Sequence, residues 1–249
     1  MKKLFFSCLL VISTLGWSQN NALFDQGKAH YKNAKYQDAI TTWTKILDHG
    51  EHAPELYFNL GNAHYKLNKV GPSIYYYEKA LQLAPNDGDI KNNLAFAENA
   101  RIDAIEPLPK TVFSKWYQSV AGVFTYDGWA KLGVMGAILF MLLFLLYWFS
   151  MQERKKRLFF SMSLISMFLM VIAVVMAFQT YQDAVRDRPA IIFAESTDVK
   201  NEPKMGGEVA FVLHEGTKVQ ILLEEENWIR IQLANGKDGW IPLSDVKEL

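Results

Sequence analysis

The sequence predicts a multidomain membrane protein in three parts: an α-helical repeat array, a transmembrane helical hairpin and a small all-β barrel. Three observations carry this. A stretch beginning at Gly27 returns at Gly61 with an offset of 34 residues and helical spacing of its apolar positions, the signature of stacked helix pairs. Two runs without charge, 132–150 and 158–178, each reach the ~20 residues needed to cross a bilayer as a helix. Beyond residue 189 the apolar period falls to two, the pattern of half-buried strands.

The bulk numbers exclude some functions. The 249 residues carry 26 Lys or Arg and 26 Asp or Glu, so the formal net charge is zero. Basic residues cluster only at 152–157, within FSMQERKKRLFF, which leaves no electrostatic footprint for nucleic acid. Cys8 is the single cysteine, so neither a disulfide framework nor a cysteine metal site is available. Residues 1–18 read as an export signal. Lys2 and Lys3 precede the apolar LFFSCLLVISTLGW, and Gly16 and Ser18 occupy the small positions before a cut. Cleavage after Ser18 would remove Cys8.

The array is expected over residues 20–105, as units 20–53 and 54–87 and a capping helix 89–105. GKAHYKNAKYQDAITTWTKIL and GNAHYKLNKVGPSIYYYEKAL align without a gap and share nine of 21 positions, among them Gly27/Gly61, Tyr31/Tyr65 and Ile40/Ile74. Each pair has an apolar face that it cannot bury alone, so neighbours must stack. The second unit resembles the tetratricopeptide repeat: Tyr57, Leu60, Gly61, Ser73, Tyr77, Ala80 and Pro85 stand at its signature positions. The first matches less well, and His30 and His64 stand where tyrosine is usual. The resemblance implies a concave groove lined by the first helix of each pair. Here that face carries Phe24, Lys28, Tyr31 and Lys32, then Phe58, Asn62, Tyr65 and Lys66, with Asn92 following. Aromatics among lysines and asparagines suit an extended peptide or a partner helix; the plain alternative is a solvated face with two stacking tyrosines.

Pro107-Leu108-Pro109 ends the array and opens a linker, 106–131. Phe113, Trp116, Tyr117, Val120 and Phe124 recur at helical spacing, which fits an amphipathic helix at the membrane surface or one packed beneath the repeats. The spans are expected at 132–151 and 158–179, joined by a basic loop at 152–157. With an export signal in front, that loop must be cytoplasmic. It holds Arg154, Lys155, Lys156 and Arg157, in keeping with the positive-inside rule. Gly133 with Ala137, and Ser163 with Ser166, are the small positions at which the helices can approach closely.

In 189–249, Val219, Ile221 and Leu223 alternate along one strand and Ile229, Ile231 and Leu233 along another. Asn235-Gly236 marks a tight turn. LHEGTKVQIL, ENWIRIQL and NGKDGWIPLSDV resemble, in order and spacing, the elements of a bacterial SH3-like domain. That resemblance implies a cell-wall peptide or glycan as a ligand, with Trp228 and Trp240 as platforms or, equally, as structural residues. The segment has eleven Asp or Glu against six Lys or Arg, which does not favour an anionic ligand.

No cofactor or catalytic constellation emerges. His49 and His52 form the one close histidine pair and fall in a loop, short of the three or four ligands that zinc takes. No phosphate-cradling glycine loop or nucleophile elbow is present. The order of parts resembles the BatE proteins of the aerotolerance operon. The resemblance implies a role in envelope integrity or oxygen-stress tolerance, and with the export signal and the basic loop the parts read as a non-enzymatic scaffold of the bacterial inner membrane, two-pass with both folded parts periplasmic. It also implies membrane proteins with von Willebrand A domains and a MoxR-type ATPase as company. The alternative is a tether or sensor holding peptidoglycan through the barrel.

Overall fold

The computed structural model describes residues 20–249, so the expected signal, 1–18, lies outside the described residues. The chain forms two compact units. One is discontinuous and joins the residues up to Pro107 to Arg188–Leu249; the other is Leu108–Asp187.

The first unit opens with α1 (residues 20–32), α2 (Tyr36–Asp48), α3 (Pro54–Lys66), α4 (Val70–Leu83) and α5 (Gly88–Asn99). The repeat shows in its turns as well as its helices. Ala34 and Asn68, 34 positions apart, both take φ 58°. The amides that follow them, Lys35 and Lys69, bond back to the carbonyls of His30 and His64, each at 3.0 Å. Inside each pair a glycine admits a large ring. Trp43 lies over Gly27, and a Cβ on Gly61 would stand 2.6 Å from Tyr77 Cδ1. Trp43, Leu60, Ile74 and Tyr77 are thereby fully buried in one core with Ala39, Ile46 and Leu56. Asp87 caps α5 by accepting from the amides of Asp89 and Ile90.

The capping helix was expected to reach residue 105. It stops at Asn99, and residues 103–111 lie in neither helix nor strand. The reason lies in the barrel, where Asp103 and Ile105 find their partners.

The barrel comprises β1 (Pro189–Ile192), β2 (Ser196–Lys200), β3 (Val209–His214), β4 (Lys218–Glu225), β5 (Trp228–Gln232), β6 (Asp238–Pro242) and β7 (Val246–Glu248). They form one antiparallel sheet in the order β3-β2-β6-β5-β4-β1-β7. Gly236 takes φ 85° in the β5–β6 turn. One register expectation fails. A bulge between Ile221 and Leu223 ends the alternation, so Val219 and Ile221 are buried and Leu222 and Leu223 are both exposed.

Array and barrel share one body. Ala190 and Ile192 point into the barrel core, and Ile191 between them points into the array core, as the two faces of a strand require. At the seam Gly216, with φ 84°, brings backbone against Ile74 and Val70. Glu215 Oε1 accepts from the Val70 amide at 3.1 Å, capping a helix whose own flanking residue supplies no side-chain cap. Lys218 bonds Glu78 at 2.6 Å, and Lys247 Nζ lies 4.6 Å from the Tyr75 ring centroid. Asp103 closes the seam. Its Oδ2 accepts from the His214 amide and from Thr217 Oγ1, both at 2.7 Å, and its Oδ1 pairs with His214 Nδ1 at 2.8 Å.

The second unit holds α6 (Val112–Ala121), α7 (Tyr126–Phe149) and α8 (Glu153–Arg186). The helices α7 and α8 are 24 and 34 residues long and apolar enough to cross a membrane. At 1.5 Å per residue they reach roughly 36 and 51 Å, beyond the ~30 Å of hydrocarbon. They touch through small residues. Ser166 Oγ donates to the Gly136 carbonyl at 3.0 Å, and Gly133 packs on Val174. Gly136, not the expected Ala137, takes the close position beside Gly133; Ala137 is exposed. The expected loop at 152–157 is also shorter. Helix α8 begins at Glu153, so Arg154, Lys155, Lys156 and Arg157 stand on its first turns, consistent with their good helix propensity. None of α6 is buried; Phe113 and Trp116 face outward, while Tyr117 Oη donates to Asp183 of α8 at 2.6 Å.

Candidate functional site

The expected groove residues come from the first helix of each pair, α1 and α3, whereas the barrel docks on α4. Phe24 and Tyr31 are half-buried against Trp43, with ring centroids 6.4 and 6.2 Å from it, and Trp43 Nε1 donates to the Phe24 carbonyl. Lys28 Nζ stands 5.3 Å from the Phe24 centroid, and its ion pair with Asp25 is long, at 3.5 Å. Phe58 packs on Tyr77 at 5.9 Å. Tyr65, Lys32 and Lys66 are exposed.

Asn62 is the best-fixed polar group of this face. Its Oδ1 accepts from Tyr77 Oη at 2.7 Å and from Asn93 Nδ2 at 2.9 Å. Both bonds use the oxygen, so the amide hydrogens are oriented by the network. Burial pushes the Tyr77 phenol well above its ordinary 10.0, so it stays a donor. The third-helix member expected on this face is Asn92. The structure assigns the bond to its neighbour Asn93, and adds Phe96, an exposed ring one turn on. Repeat alignment ends before α5, so helical phase was the only available signal there. The face therefore offers rings, three lysines and one oriented amide, a set suited to an extended segment with carbonyl and acidic groups.

On the barrel, Trp240 is buried, 8% exposed, in keeping with the structural one of the two roles open to it. Trp228 is half-buried, with Lys200 Nζ 5.5 Å from its ring centroid. The histidine pair is engaged locally. His49 Nδ1 meets Asn20 Oδ1 at 2.7 Å and His52 Nδ1 meets Tyr57 Oη at 2.6 Å. Among the described residues no group of three or more His, Cys, Asp or Glu is placed to hold a metal ion.

Residues 24–88 match the tetratricopeptide repeat family, and residues 195–247 match the bacterial SH3 domain family. Both are families of interaction modules. A comparison with curated proteins finds no match. Among solved structures, the chain is similar to an NlpC/P60 family protein from Bacillus cereus ATCC 10987. That likeness has 17% identity and a TM-score of 0.22, over 28% of this chain and 23% of the other. It is also similar to the first TPR of Spaghetti (RPAP3) bound to the HSP90 peptide SRMEEVD. The identity is 22% and the TM-score 0.20, over 33% of this chain and 93% of the other. This chain thus spans less than a quarter of the NlpC/P60 protein.

Proposed function

We propose that this chain is a non-enzymatic, two-pass scaffold of the bacterial inner membrane. It presents array and barrel as one periplasmic body and holds an extended segment of a partner protein in the groove of α1, α3 and α5. The observation that carries this reading is the seam. Residues before and after the hairpin share one core through Ile191 and the Asp103 network. A shared core requires both ends of the hairpin to open on the same side of a bilayer. The four consecutive cations at the start of α8 then face the other side, the cytoplasm by the positive-inside rule. Docking on α4 leaves the opposite helices to a ligand.

The resemblance of the whole order of parts to BatE supports an envelope-stress or aerotolerance complex, with von Willebrand A domain proteins and a MoxR-type ATPase system as partners. A photo-crosslinking residue at Tyr65, in native membranes, is expected to capture a protein; one at Lys45 on α2 is not. Adding Tyr31→Ala and Lys66→Glu should abolish the adduct. Equal capture at both positions, or none at Tyr65, refutes the groove. A second reading, a peptidoglycan tether, rests on half-exposed Trp228. It requires the full chain to sediment with purified sacculi and Trp228→Ala to stay in the supernatant.

A further inference from the structure

The cationic knot that sets topology also builds a cleft. Its lining is Tyr147 from the end of α7 and Glu153, Lys156, Arg157 and Phe160 from the start of α8, around a cavity of about 320 Å³. The α8 members are spaced i, i+3, i+4 and i+7, one face of a helix. Arg154 and Lys155 lie off that face, so the four cations divide into two pairs. The walls are aromatic: Tyr147 and Phe160 have ring centroids 5.5 Å apart, and Lys156 Nζ stands 5.4 Å from the Tyr147 ring. The one carboxylate, Glu153, reaches Arg157 only at 4.0 Å, with both side chains largely exposed, so it leaves that cation weakly engaged.

We propose that this cleft binds the phosphodiester headgroup of an anionic glycerophospholipid. Lys156 and Arg157 hold the phosphate, and Tyr147 and Phe160 hold the glycerol and the first acyl carbons. This rests on the hairpin spanning a membrane, which places the cleft at the boundary between hydrocarbon and water. The occupant follows from that depth and from charge. Basic pockets between spanning helices on the cytoplasmic side suit anionic headgroups, and each surface cation adds roughly fivefold to the affinity. The volume lies at the lower end of the ~300–1,000 Å³ typical of ligand sites. The anchor would thereby be sensitive to the lipid composition of its own leaflet.

The test uses the full chain in detergent, titrated with dioleoyl phosphatidylglycerol or dioleoyl phosphatidylcholine and read by native mass spectrometry. Wild type is expected to retain the anionic lipid tenfold or more over the zwitterionic one, by roughly fivefold per cation. Lys156→Gln with Arg157→Gln should erase the preference, whereas Arg154→Gln with Lys155→Gln, the same charge change off the cleft, should keep it. Glu153→Gln should strengthen retention. Equal retention of both lipids by wild type, or equal loss in both double variants, overturns the site. Displacement by inorganic phosphate, beyond a chloride control of equal ionic strength, overturns the lipid in favour of a soluble phosphate. A chain that stays soluble without detergent and retains neither lipid refutes the membrane reading itself, a result distinct from loss of headgroup preference.

Discussion

Replacing Asp103 by alanine tests the single body directly. Its carboxylate, 14% exposed, takes two hydrogen bonds on Oδ2 and pairs with the His214 ring on Oδ1. Thr217 is wholly buried, so Asp103→Ala leaves its hydroxyl and the His214 amide without acceptors. A buried group left unsatisfied costs about 1–3 kcal/mol, so two of them give a destabilisation of about 3 kcal/mol. At about 2–4 °C per kcal/mol, the first unit should melt about 6–12 °C lower. The assay is thermal melting of the full chain in detergent, with hydrogen exchange read at the Val70 and His214 amides, both bonded across the seam. Both amides should exchange faster while α7 does not change. Asp103→Asn keeps an acceptor oxygen and should lose less. Burial alone raises the Asp103 pKa, but the bonds from His214 and Thr217 outweigh it, and the net shift is downward from 3.8. The folded value lies below the unfolded one, so this stabilisation is full above the unfolded value and fades as pH falls through the folded one. An alanine variant with wild-type melting and unchanged exchange at Val70 would show that array and barrel are not held as one body.

Further predictions concern the array and the hairpin. Burial, then the cations of Lys69 and Lys247, lower His64 from 6.5 to about 4, so the folded array favours its neutral ring. Stability should fall as pH drops from 6.5 towards 4, and His64→Phe, which keeps the stack on Tyr76, should flatten that dependence in denaturant titrations. Gly61→Ala places a methyl against Tyr77 and should cost about 1–3 kcal/mol by the same measurement. Ala34→Gly relieves a left-handed alanine and should stabilise the array by about 0.5 kcal/mol; a loss would deny strain there. Gly136→Val, whose Cβ would meet Met170 at 3.1 Å, should part α7 from α8 and reduce disulfide crosslinking of paired cysteines across them.

What the sequence could show, it showed through period. Offset 34 paired Gly27 with Gly61, and the structure sets them under Trp43 and Tyr77, each glycine–ring pair being local to one repeat. The uncharged runs found α7 and α8 for the same reason. The misses are of two kinds. Where one residue's orientation depends on a neighbour in space, pattern was insufficient. Leu223 turns outward at a bulge, and Ala137 yields to Gly136. Where a bond spans more than a hundred residues, as from Asp103 to His214 or from Glu215 to Val70, one sequence carries no signal. The end of α5 belongs to this second kind, since the barrel draws residues 103–105 out of helix.

The same long-range bonds change what counts as a module. By sequence the array ends near 105 and the barrel begins near 189, which invites cutting the chain there and studying each piece. Physically that cut is costly. It removes Ile191, a residue with no exposed surface, from the array core, uncaps α4 by taking Glu215, and bares Ile74 and Tyr75. The barrel in turn loses Ile105 and the acceptor for Thr217. The hairpin is therefore an insertion into one compact unit rather than a linker between two. Since the residues that close the seam lie on both sides of α7 and α8 in chain order, this unit is complete only once both helices have been made.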